Sequence, residues 1–93
     1  MKAEVDGRVI AESNDVVEVD GYRYFPKSAV RMECLRKATR TPDDKQCPHG
    51  VQFYDVVVDG ENHARNAWSY EAPRPAMRQV ADRIGFWEDV AVS

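Results

Sequence analysis

The tetrapeptide Cys47-Pro48-His49-Gly50 places a thiol two positions from an imidazole. That pairing suits either half of a metal site or a nucleophile activated by a neighbouring base. A structural zinc needs about four ligands in closed geometry. The further donors of the right type are Cys34 and His63, and Cys-x12-Cys-x-His-x13-His matches no standard zinc-finger spacing. The expectation is therefore no metal. A catalytic Cys47–His49 pair also lacks an orienting acid close in sequence. The plainest alternative is a tight turn holding a half-buried thiol. Cys34 sits in an apolar stretch and reads as core.

A second chemically marked run is Ala67-Trp68-Ser69-Tyr70-Glu71-Ala72-Pro73-Arg74-Pro75. Residues two apart in an extended chain share a face, so Trp68 and Tyr70 point the same way. Together with Tyr24, Tyr54 and Trp87 they can wall a pocket of the apolar, sparsely polar kind that takes small molecules. They can equally serve as the large side chains a small core needs. A third stretch carries Arg31, Arg36, Lys37, Arg40 and Lys45 against Glu33, Asp43 and Asp44, a net of only +2. Most such stretches are solvated faces. The Arg31 guanidinium nevertheless suits two-pronged anion binding. The acids nearest apolar runs, Glu18, Asp55 and Glu71, show no spacing that assigns general acid and base roles. Glycine-rich phosphate loops, nucleophile elbows and His-Glu-x-x-His are absent.

These residues converge on one expectation. A small molecule, with an anion as one option, binds in a pocket walled by Tyr24, Tyr54, Trp68 and Tyr70, with Arg31 and His49 as polar contacts and Cys47 beside them. No cofactor is implied. Two rivals stand beside it: an enzyme using Cys47 or His49 on an unknown substrate, and a structural module that docks a protein.

The elements that must position these side chains are mostly strands. Asp-Gly occurs three times, at Asp6-Gly7, Asp20-Gly21 and Asp59-Gly60. Each pair suits a two-residue turn whose central residues take positive φ and whose twist matches paired strands. The predicted hairpins join Lys2–Val5 to Arg8–Glu12, Val16–Val19 to Tyr22–Phe25, and Val51–Val58 to Glu61–Ala67. In the third, Tyr54, Val56 and Val58 share the more apolar face. Val30–Leu35 reads as extended, and residues 36–46 as the longest loop, placed to cover a site. Met77, Val80, Ala81 and Ile84 follow helical spacing behind Pro75, with Gly85 as a stop, which predicts a helix over 75–84. Phe86-Trp87 and Val90–Val92 follow as closing strands. Trp68, Val56, Val80 and Ile84 are expected to be buried together. The fold class is mainly β, antiparallel, with that one C-terminal helix.

Whole-chain properties set the outer bounds. A chain of 93 residues allows one domain, 1–93. Its 43% hydrophobic and 31% charged content is that of a folded domain. A net charge of −3 gives no general attraction to nucleic acid or to anionic membranes. No apolar run approaches the roughly 18 residues of a membrane span. The segment Met1-Lys2-Ala3-Glu4 has no apolar signal core, so a cytoplasmic protein with two free thiols is expected. Its oligomeric state is left open.

Several motifs together resemble a known family. Gly7-x-x-Ile10-Ala11-x-Ser13, Tyr24-Phe25-Pro26, Arg31-x3-Leu35, Cys47-Pro48-x-Gly50, Tyr54, Ala67-Trp68-Ser69-Tyr70-Glu71-x-Pro73-x-Pro75 and Phe86 occur in the order of the domain of unknown function 427 family. The resemblance runs from about Val5 to Val92. It implies a β-tent or open-barrel architecture with one helix. The family also carries a nucleotidyltransferase-like label, to which no established activity is attached. Nucleotidyl transfer needs closely spaced carboxylates that hold Mg²⁺ between phosphates, and here Asp43 and Asp44 are simply adjacent. Members usually have an aromatic residue and a lysine between Cys-Pro and Gly, whereas His49 alone stands there in this chain.

Overall fold

Turn chemistry lays out the strands. In the computed structural model, which describes residues Met1–Ser93, Asp6 and Gly7 have φ of 53° and 76°, and the pairs Asp20-Gly21 and Asp59-Gly60 repeat that geometry. All three therefore close two-residue hairpins of the type whose twist matches the strands they join. The elements in chain order are β1 (Lys2–Val5), β2 (Arg8–Glu12), β3 (Val17–Val19), β4 (Tyr22–Pro26), β5 (Leu35–Lys37), the short helix α1 (Pro42–Lys45), β6 (Val51–Val58), β7 (Glu61–Tyr70), β8 (Arg83–Phe86) and β9 (Ala91–Val92). They form two antiparallel sheets, one of three strands in the order β2-β1-β9 and one of six in the order β3-β4-β8-β7-β6-β5. The fold is mainly β, as the turn signals indicated. No helix is long and apolar enough to cross a membrane.

Strand alternation divides the buried side chains into two sets on opposite faces of the six-stranded sheet. One face contributes Phe25, Tyr54, Val56, Val58, Ala67, Ile84 and Phe86, which pack with Ala3, Val5, Ile10 and Ala11 of the smaller sheet. The other face carries Tyr24, Val51, Trp68 and Val80, flanked by half-buried Cys47, Phe53, Tyr70, Met77 and Trp87. Val56 and Ile84 thus lie in one cluster, Trp68 and Val80 in the other. The four residues expected to be buried together are buried on two sides of one sheet.

The expected helix over 75–84 is not formed. Pro75–Val80 is a 3₁₀ segment, Ala81 turns extended, Asp82 takes φ of 57°, and Arg83–Phe86 becomes β8. Tertiary pairing overrides the helical spacing, because β8 fills the gap between β4 and β7: Gly85 lies opposite both Tyr24 and Trp68, and Ile84 opposite Phe25. Gly85 is consequently no helix stop. A Cβ there would stand 2.7 Å from Cζ2 and 2.8 Å from Cε2 of Trp68. Gly85→Ala is expected to displace the indole and to cost about 1–3 kcal/mol, the usual penalty for overpacking. Urea unfolding followed by tryptophan fluorescence checks this, and a wild-type midpoint would show that the indole is free to move.

Two further expectations are corrected. Val30 makes a bridge to Ala11 and Met32–Cys34 is a 3₁₀ turn, so Val30–Leu35 is not one strand. Residues 36–46 are less of a loop than expected, since Arg36 and Lys37 pair with Asp55 and Tyr54, and Pro42–Lys45 is helical. Thr41 explains the helix. Its hydroxyl accepts from the Asp44 N–H while the Asp44 carboxylate accepts from the Thr41 N–H, a reciprocal cap with Pro42 in the first turn.

His63 ties the two sheets together. Its Nδ1 lies 2.9 Å from Asp89 Oδ2 and its Nε2 2.7 Å from Asp6 Oδ2. Both ring nitrogens face carboxylate oxygens, so the imidazolium is the form that satisfies both. The hydrogen bond to Asp89, then that to Asp6, raises the His63 pKa above its ordinary 6.5. A raised folded pKa adds stability that is full below pH 6.5 and is lost as pH climbs through the raised value. The melting temperature should therefore fall as pH rises above neutral, and His63→Gln should flatten that slope. An unchanged slope in the variant would remove His63 as its source.

Candidate aromatic site

Register gathers the rings. In the β6–β7 hairpin Phe53 lies opposite Trp68 and Val51 opposite Tyr70, so all four share one face. That register contains an irregularity: Asp55 alone faces the three residues Ala64, Arg65 and Asn66. Arg65 takes φ of 58° there, and its N–H donates to Asp55 Oδ1 at 3.0 Å. The insertion amounts to two residues, which preserves the alternation and keeps Trp68 and Tyr70 on the Phe53 side. From the other flank, β4 brings Tyr24 opposite Gly85, whose missing side chain lets the Trp68 ring lie flat across the sheet. Trp87, just past β8, is fixed by its Nε1 donating to the Arg65 carbonyl at 2.6 Å.

The result is a corner of three rings. Tyr22 and Trp68 are 5.2 Å apart at 89°, Trp68 and Trp87 5.2 Å apart at 64°, and Tyr22 and Trp87 6.3 Å apart at 79°. Phe53 stacks on Trp87 at 6.1 Å. A shallow concavity of about 110 Å³ opens here, lined by Tyr22, Val51, Phe53, Trp68, Tyr70 and Trp87. Beneath it Tyr24 is buried, packed edge-on to Trp68 at 5.8 Å. Burial raises its phenol pKa far above the ordinary value, and the neighbouring Tyr70 and the charge of Asp20 push the same way. The Trp68 Nε1 is buried with no hydrogen-bond partner.

Around the rim, polar groups are already engaged. The Arg65 guanidinium lies over the Phe53 ring at 4.1 Å and forks onto Asp44, with Nη2 to Oδ1 at 2.7 Å and Nη1 to Oδ2 at 3.2 Å. His49 stands 5.6 Å from the Tyr70 ring, and its Nδ1 accepts from the Arg74 N–H at 3.0 Å. That bond leaves the neutral-state proton on Nε2. Cys47 is a half-buried free thiol packed against the same cluster.

Five of the seven expected site residues therefore meet on one face: Tyr24, Cys47, His49, Trp68 and Tyr70. The other two do not join them. Tyr54 points into the opposite core, 4% exposed. Arg31 is an exposed side chain beside Glu33, at grooves of about 370 and 450 Å³ that it shares with Val9 and Ile10. Adjacent carboxylates also part ways, since Asp44 is buried against Arg65 while Asp43 faces solvent. Tyr22, Val51, Phe53 and Arg65 were missed in the sequence reading. The face of Phe53 followed from alternation, but its alignment with Trp68 depends on the two-residue insertion, which no turn signal announces.

A family model described as domain of unknown function (DUF427) matches residues 1–93. No curated protein matches the chain.

Proposed function

We propose that this chain, which belongs to the DUF427 family, is a binding protein that seats a small molecule in the ring-lined corner of Tyr22, Trp68 and Trp87. The carrying observation is that aromatic side chains, normally spent inside a core, here line an open concavity of about 110 Å³ on the face away from the smaller sheet. Walls of this kind supply apolar contact and ring faces, with few groups to fix orientation. Cys47 and His49 belong to the rim in this reading. We take the two sheets as the flaps of a β-tent, and place the protein in the cytoplasm, where both thiols stay reduced. Arg31 is not part of the site, so an anionic ligand is not required.

A panel of small planar and branched-alkyl fragments, followed by backbone and indole NMR signals, tests the reading. Binders are expected to shift the Trp68 and Trp87 indole signals together and to leave Arg31 unmoved. Shifts centred on Arg31, or scattered over the surface, would overturn it and put the structural-module reading first.

A further inference from the structure

Resting on that reading of the same site, we propose that the group seated in the corner is a methylated ammonium cation. The first reason is shape. Tyr22, Trp68 and Trp87 meet pairwise at 89°, 64° and 79°. A flat ligand stacks on one such wall and leaves the others idle, whereas a rounded group touches all of them. Ring faces carry negative quadrupole potential, so a ring face that borders the concavity attracts a cation there.

Hydrogen bonding gives the second reason. The corner is lined mostly by carbon, its residues being Tyr22, Val51, Phe53, Trp68, Tyr70 and Trp87, with the Tyr22 and Tyr70 hydroxyls as its polar atoms besides the indole nitrogens. The Trp87 Nε1 is already spent on the Arg65 carbonyl, and the Trp68 Nε1 is buried. A primary ammonium entering here replaces few of its water bonds, and the only side-chain donors open to a carboxylate are the two tyrosine hydroxyls. A fully methylated ammonium has no N–H to satisfy, so its desolvation costs least among cations.

Charge is the third. No cationic residue lines the corner. The closest cation on these rings, Arg65, is neutralised by its two-pronged pairing with Asp44. Asp20, two residues before Tyr22, and Glu88, directly after Trp87, are exposed and enter no salt bridge. They place two unpaired acids close in sequence to the corner's rings, on a chain whose overall charge is −3.

Three probes separate the possibilities: choline, its neutral carbon isostere of the same size 3,3-dimethylbutan-1-ol, and the smaller primary amine ethanolamine. Each is titrated against the full chain while the two indole NMR signals are followed. Choline is expected to bind about fivefold or more tighter than either analogue, a difference in the range of cation–π attraction. The exposed Tyr22→Ala variant, whose fold does not rest on that ring, should weaken choline by roughly threefold. Equal binding of choline and the isostere would overturn the cation while leaving a small-molecule site standing. Failure of all three alongside shifts from planar fragments would do the same. Silence from every probe and every fragment would overturn both readings.

Discussion

Trp68→Ala is expected to destabilise the protein by about 3–5 kcal/mol, the range for removing a large buried aromatic side chain. The indole is only 5% exposed, and it contacts the Tyr22, Tyr24 and Phe53 rings, Trp87 and the bare backbone of Gly85. Two of these cannot close the void. Gly85 has no side chain to extend, and Trp87 is held by its bond to the Arg65 carbonyl. Domains commonly have only about 5–15 kcal/mol of total stability, so a large share of molecules should unfold near physiological temperature. Circular dichroism melting gives the loss directly. Trp68→Phe, which keeps a ring over Gly85, should recover a good part of it. A Trp68→Ala protein that melts like the wild type would refute the placement of this side chain and the corner built on it.

The second large effect is expected at Arg65→Ala. Its guanidinium neutralises Asp44, a carboxylate that is only 5% exposed. Removing one partner of a buried pair leaves the other charge uncompensated, which costs about 3–5 kcal/mol. The lower end applies, because the Arg65 side chain is itself 35% exposed and water can partly replace it. The cation over Phe53 would be lost as well. Asp44→Asn should cost less, since the freed guanidinium can reach solvent. The hydrogen bond from Arg65, and the Thr41 cap after it, hold the Asp44 carboxyl at about 2 against an ordinary 3.8. A depressed carboxyl pKa adds stability that is present above pH 3.8 and lost as pH falls toward 2. Acid unfolding of the wild type should show this component, and Arg65→Ala should lack it. A wild-type acid profile in the variant would mean that Asp44 is stabilised by its helix cap alone.

What the sequence by itself determined is local. Asp6-Gly7, Asp20-Gly21 and Asp59-Gly60 specify hairpins because few other pairs accept positive φ at both turn positions. Alternation then assigns faces, so Tyr54, Val56 and Val58 were legible as core, and Trp68 and Tyr70 as neighbours on one side. The motifs named the family for the same reason, since each is a short run of residues. What only the tertiary structure decided is which strands lie side by side. Met77, Val80, Ala81 and Ile84 carry helical spacing, yet the gap between β4 and β7 needs a strand, and a buried ladder of hydrogen bonds outweighs a modest helix preference. The site followed from that choice. β8 brings Gly85 under Trp68 and sends Trp87 to the Arg65 carbonyl, so residues from β4, β6 and β7 close into a ring-lined corner. Tyr54 and Arg31 were grouped with it because their types fitted. They fell away because face parity puts Tyr54 in the other core, and the 3₁₀ turn after Val30 leaves Arg31 on a different surface.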